Sequence, residues 1–228
     1  MKLLVSDFDG TIEINGLFRN CYIPNGTTSY IDSFIKDGNK FMIATARPYD
    51  SIIQDIKKYG IPYDYISVLN GCIVYDNKGN VLFSKDMTEL NTSELYRTYS
   101  CISFIDDVKY NDKILYYIFS LAFLSDPDAL FSYLKDSNLT IQSWFLNTYN
   151  IVHPISNKVD GIRFIQELHG ISDDDVITIG DSYDDLEMIK NYYSYGILKP
   201  FPNIGVLRNC DKKVKSLKHS FKYINKNI

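Results

Sequence analysis

Leu3-Leu4-Val5-Ser6-Asp7-Phe8-Asp9-Gly10-Thr11 opens on an uninterrupted, partly β-branched apolar run. Such a run is the pattern of a short strand buried on both faces. It stops at two acids one residue apart, followed by glycine and threonine, types that favour a loop. A buried strand that ends in a polar loop belongs to an open α/β sheet, where ligands bind beyond the carboxyl ends of the strands.

Outward from this stretch the pattern repeats. Tyr30, Ile31, Phe34 and Ile35 recur at helical spacing up to Gly38. Phe41-Met42-Ile43-Ala44 reads as a second buried strand ending at Thr45, and Pro48 stands where a helix can begin. Ile52, Ile53, Ile56 and Tyr59 place an apolar face on that helix, and Gly60 ends it. Residues 65–69 predict a third strand, Asn70-Gly71 a turn, and residues 73–75 and 81–83 a hairpin. Alternating strands and helices imply a doubly wound, mostly parallel sheet with helices on both faces.

The middle of the chain differs. A helix is expected over residues 91–101, then a long apolar and aromatic run over 114–124. A short helix follows Asp126-Pro127, and strands are expected near 139–145 and 148–154. Residues 85–152 therefore read as a small inserted α+β unit, with Tyr116, Tyr117 and Phe119 in its core and Trp144 either there or facing the site as a substrate contact. The first pattern resumes with a helix carrying Val159, Ile162, Ile165 and Leu168, then a buried strand, Val176-Ile177-Thr178-Ile179, running into Gly180-Asp181. A helix from about Asp184 to Lys190 and a tail with one short strand and a basic helix complete the expectation. Residues 1–84 and 153–228 thus form one α/β domain interrupted by the insert.

Composition sets the class. The chain has 228 residues, is 45% hydrophobic and carries a net charge of −4. That describes a globular protein and gives no basic stripe for a nucleic acid. Cys21, Cys72, Cys101 and Cys210 are scattered, with neither a CxxC pair nor zinc-ribbon spacing. With no secretory leader and no apolar stretch of membrane-spanning length, they read as reduced thiols of a cytoplasmic protein without a membrane partner. His153, His169 and His219 are dispersed and suggest no metal site.

Asp7, Thr45 and Asp181 each end a predicted strand, so the fold should gather them at one sheet edge. With Asp185, the acids make three carboxylates that repel one another unless a cation joins them. Mg²⁺ suits such oxygen ligands together with a substrate phosphate. Lys158 opens the helix after the insert and can neutralise a phosphate oxygen, while Thr45 can donate a hydrogen bond to another. A carboxylate attacks an anionic phosphate only when that charge is screened, and screening is usually the largest catalytic term. Asp7 can then become an aspartyl phosphate, with Asp9 protonating the leaving alcohol. Plainer readings stand beside these. Asp7, Asp9 and Asp181 suit turns or caps, Arg47 a surface ion pair, Lys158 a solvated face, and Asn70-Gly71 a bare turn.

Four segments in order carry a resemblance: Asp7-Phe8-Asp9-Gly10-Thr11, Ile43-Ala44-Thr45-Ala46-Arg47-Pro48, Ser156-Asn157-Lys158, and Gly180-Asp181-Ser182-Tyr183-Asp184-Asp185-Leu186-Glu187-Met188. They resemble the motifs of the haloacid dehalogenase superfamily, and the Asn70-Gly71 turn with an insert after the second motif resembles its Cof-like branch. The resemblance implies a Rossmann-like core with an inserted cap domain. It also implies a phosphatase that hydrolyses a small phosphorylated metabolite, such as a sugar phosphate, as a monomer or weak dimer. It makes Asp7 nucleophile and metal ligand, and Asp9 general acid/base and metal ligand through its carbonyl. Thr45 and Lys158 would hold the phosphoryl group, and Asp181 with Asp185 would complete a Mg²⁺ site. Ala46, Arg47, Asn70 and Gly71 would lie near phosphate or substrate. The chain departs from the pattern at Ala46, where glycine is usual, and at Asp184, where asparagine is usual. It also has a short insert and no clear family ending after the fourth motif. Asp184 and the short insert leave open a weak or inactive protein that binds a phosphorylated ligand; a phosphomutase, against which the branch pattern argues, is a further alternative. A receiver-like signalling domain fits poorly, because its acid pair precedes a phosphorylated acid on a later strand.

Overall fold

The computed structural model describes residues 1–15, 21–87, 89–122, 125–137, 139–145, 148–152 and 157–224. His153, Ser156 and the end of the strand expected to reach 154 lie outside these residues, as does the side chain of Trp144. The chain divides into two compact units, Met1–Leu82 with Asn157–Ile228, and Phe83–Ser156.

The first unit begins with β1 (Leu3–Ser6), a small ladder of β2 (Ile14–Asn15) and β3 (Cys21–Tyr22), and α1 (Thr27–Lys36). There follow β4 (Lys40–Ala44), α2 (Tyr49–Tyr59), β5 (Tyr65–Val68), β6 (Ile73–Asp76) and β7 (Val81–Ser84). The insert contributes α3 (Thr92–Thr98), β8 (Ile102–Tyr110), β9 (Lys113–Leu121), α4 (Asp128–Asp136), β10 (Thr140–Phe145) and β11 (Thr148–Val152). The chain then returns through α5 (Lys158–His169), β12 (Val176–Gly180), α6 (Leu186–Asn191), β13 (Tyr193–Ile197), α7 (Ile204–Asn209), β14 (Lys212–Val214) and α8 (Leu217–Ile224).

The main sheet runs β14-β13-β12-β1-β4-β5-β6-β7. It is parallel from β14 to β5, and β6 turns antiparallel. β1 lies inside, and the chain extends the sheet first to one side through β4 and then to the other through β12. That change of direction makes a crevice at the carboxyl ends of these strands. Leu3, Leu4 and Val5 are fully buried, as are Phe41 to Ala44 on the neighbouring strand. Buried apolar side chains of this size contribute about 1.5–3 kcal/mol each, so burial holds the strands that carry the crevice firmly in place.

The second unit is a four-stranded antiparallel sheet, β10-β11-β9-β8, with two helices. Tyr117, Phe119, Leu130, Leu134 and Ile151 form its core. Three expectations change. The helix expected over 91–101 stops at Thr98, and Ile102–Tyr110 is a strand. The apolar run narrows to the strand Lys113–Leu121. The tail holds two strands and two helices, where one of each was expected. β8 is an edge strand with exposed Asp106 and Lys109, and charge on an edge hides the apolar alternation that marks a strand.

Candidate active site

β1 ends at Ser6 and places Asp7 at the carboxyl edge of the sheet. The backbone N–H of Asp7 donates to Ile179 O at 2.9 Å, which ties it to β12. In the tight turn beyond, the N–H groups of Thr11, Ile12 and Glu13 converge on Phe8 O. Gly10 has φ 89°, and a Cβ there would lie 2.6 Å from Asp181 Oδ2. Its glycine therefore serves both the left-handed turn and the room Asp181 occupies. Thr11 Oγ1 donates to Asp181 Oδ1 at 3.1 Å, joining the first loop to the last motif.

Asp7, Asp181 and Asp185 form one buried cluster, each offering a carboxylate oxygen within 4.8 Å of the others. Lys158, 2% exposed, donates to Asp7 Oδ1 and to Asp185 Oδ1, both at 2.6 Å. It opens α5, whose start is fixed by a capping box: Asn157 Oδ1 accepts from Val159 N, and Asp160 accepts from Asn157 N. The ammonium is thereby delivered by a rigid helix start. Burial works against its charge, but Asp185 and Asp7 outweigh that and hold it above the ordinary lysine range. Burial, and after it the charge of Asp185, push the Asp7 carboxyl well above the usual range, with Lys158 pulling it back.

Asp185 is fully engaged. Its Oδ2 accepts from Asp181 N, Ser182 N and Ser182 Oγ at 2.9, 2.9 and 3.0 Å, while Oδ1 takes Lys158. It braces the turn that carries Asp181. Asp184 is exposed and outside the cluster.

Asp9 also stands apart from the three acids. Its half-exposed carboxylate accepts from Arg47 at 3.4 Å. Partial burial raises it above the ordinary range and Arg47 opposes that. Arg47 is anchored to α2 through Asp55 Oδ2 at 2.7 Å and Ser51 Oγ at 2.8 Å, and lies over the Phe8 ring. Thr45 is buried just past β4 beside β1, and its Oγ1 accepts from Arg47 N. Ala46 is partly buried between them. Asn70 N donates to Thr45 O at 3.1 Å, so the turn expected at Asn70-Gly71 is tied to the second motif. Its buried Oδ1 has no hydrogen-bond partner among the described residues.

Lys199 is the residue that sequence reasoning missed. Two positions past β13, its ammonium pairs with Asp181 Oδ2. The sequence marks Thr11 only as part of a motif. Placing the tail strand correctly would have put Lys199 at the same sheet edge, since β13 pairs parallel with β12.

The pattern of the haloacid dehalogenase-like hydrolases matches residues 4–120 and 91–198. The chain belongs to that family of hydrolases. Within it the chain falls in the Cof-like branch. Among relatives of this hydrolase, an uncharacterized protein of Mycoplasma capricolum is 26% identical over 234 residues, covering 84% of this chain and 88% of that one. A hypothetical protein of Geobacillus kaustophilus shares the fold with a TM-score of 0.75 at 19% identity, covering 99% of this chain and 98% of the other. A subclass IIB sugar phosphatase of the superfamily does so with a TM-score of 0.69 at 15% identity, covering 100% and 99%. At these identities the two structures establish the fold of the hydrolase and nothing finer.

Proposed function

We propose that the protein is a Mg²⁺-dependent phosphatase acting on a small phosphorylated metabolite, with Asp7 as nucleophile. The observation that carries this reading is the buried cluster of Asp7, Asp181 and Asp185 clamped by Lys158 at the carboxyl edge of a haloacid dehalogenase-like sheet. A sugar phosphatase of the superfamily shares the fold, so the fold accommodates this substrate class.

The donor set suits magnesium, because it consists of hard oxygen ligands carrying more negative charge than the two lysines cancel. Asp7, Asp181 and the Asp9 carbonyl would hold the ion, with Asp185 bracing them. Bound there, Mg²⁺ would supply screening of the phosphoryl charge.

The protein's own groups then divide the work. Asp7 attacks phosphorus, forming an O–P bond as the ester O–P bond breaks. Asp9 gives its proton to the departing alkoxide, and its raised proton affinity suits that role. Water then attacks the aspartyl phosphate, Asp9 takes up the proton, and Asp7 is released. Lys158 and the Thr45 hydroxyl hold the phosphoryl oxygens. The insert, as a cap domain over residues 85–152, would select the substrate.

Purified protein should release phosphate from an aryl phosphate in Mg²⁺, and Asp7→Asn should reduce the rate to background. No turnover on a broad panel of phosphorylated metabolites would end this reading. If Asp7→Asn and native protein then bound a phosphate analogue alike, a binding role would replace it.

A further inference from the structure

We propose that Lys199 is an internal cation against which a divalent metal competes for Asp181. The inference rests on the magnesium reading of the three-acid cluster. Asp181 is 2% exposed, and both its oxygens have partners: Thr11 Oγ1 on Oδ1 and the Lys199 ammonium on Oδ2. A metal that uses Asp181 must share or take the oxygen that Lys199 holds.

The two lysines of the site are built differently. Lys158 is 2% exposed, bridges two carboxylates and rises from a capped helix start, so it cannot leave. Lys199 is 35% exposed and follows the end of β13 on a flexible four-carbon stem. Its ammonium can move into water, and the buried Asp181 carboxylate then needs another cation, which an arriving metal supplies. Whether it swings out or stays, its charge opposes the arrival of a dication a few ångströms away. Lys199 thereby sets how much magnesium the site holds at a given concentration, whereas Lys158 sets the geometry of Asp7.

A lysine that merely tied down the segment after β13 would affect stability and leave metal affinity unchanged. Mg²⁺ alone, without phosphate, is titrated calorimetrically into native protein, K199M, K199Q, K199R and Asp181→Asn. K199M and K199Q should bind Mg²⁺ about fivefold more tightly or better, K199R should match the native protein, and Asp181→Asn should lose most binding. Two neutral variants guard against one that fails to fold. Native-like or weaker binding by the folded neutral variants overturns the proposal while leaving the phosphatase reading intact. Absence of Mg²⁺ binding in every protein, native included, overturns the magnesium reading and this inference with it.

Discussion

Lys158 joins two buried carboxylates, so its loss should cost twice. Lys158→Met leaves Asp7 and Asp185 buried without a counter-charge, and breaking a buried pair in this way costs about 3–5 kcal/mol. Urea denaturation should show a loss of that order, partly relieved where one acid takes up a proton, and phosphate release should vanish. An unchanged denaturation midpoint would contradict the burial argument. Lys158→Arg should not rescue activity, because a planar fork does not fit a point-charge site between two acids. The acids themselves were legible as residues, since Asp7, Asp9 and Asp181 stand at strand ends in recognisable motifs. The raised proton affinity of Asp7 was not, because it depends on burial and on Asp185, 178 positions away along the chain. Nor could a sequence show that Asp185 spends its oxygens on Lys158 and on the backbone N–H groups of Asp181 and Ser182.

The start of α5 is held from outside by the Asn70-Gly71 turn. Gly71 has φ 91°, and a Cβ there would lie 2.0 Å from Asn157 O, the residue that caps the helix bearing Lys158. Gly71→Ala should therefore lower stability by about 2 kcal/mol and depress turnover, measured by denaturation and steady-state kinetics. Native-like turnover would show that α5 tolerates the shift. The turn itself was readable from Asn70-Gly71, but its second purpose was not, because the partner carbonyl lies far along the chain. At its other end α5 meets β5: the Tyr65 hydroxyl and His169 Nε2 lie 2.6 Å apart. Burial, with Lys40, lowers the His169 proton affinity, so folding favours the neutral ring. The contribution is then complete above the unfolded value near 6.5 and is lost as pH falls through the lower folded value. Between pH 7.5 and 5 the melting temperature of native protein should fall further than that of His169→Gln. Equal falls would exclude this link.

Across the whole molecule, the sheet order brings together loops from opposite ends of the chain. β1 stands between β4 and β12, so the Asp7, Thr45 and Asp181 loops share one edge. Chelation with EDTA should abolish phosphate release and added Mg²⁺ should restore it. Saturating Mg²⁺ should also stabilise the fold, by about 2.7 kcal/mol at a hundred times Kd, read as a rise in melting temperature. Activity that survives chelation would remove the metal from the proposal. Among the described residues no helix is long and apolar enough to cross a membrane, and the four cysteines form no disulfide. The parallel core was readable because strands buried on both faces are continuous apolar runs, and because helices show their 3.6-residue period locally. The insert's edge strand and the second tail strand were not, because charge on a sheet edge and short length erase the local pattern. Local chemistry along the chain thus decided the α/β core and the acids that end its strands. Tertiary structure alone decided that Lys158 clamps Asp7, that Asp185 braces Asp181, and that Lys199 reaches the same carboxylate. Those pairings depend on which strands become neighbours, and a strand's neighbours are chosen by packing across the whole sheet.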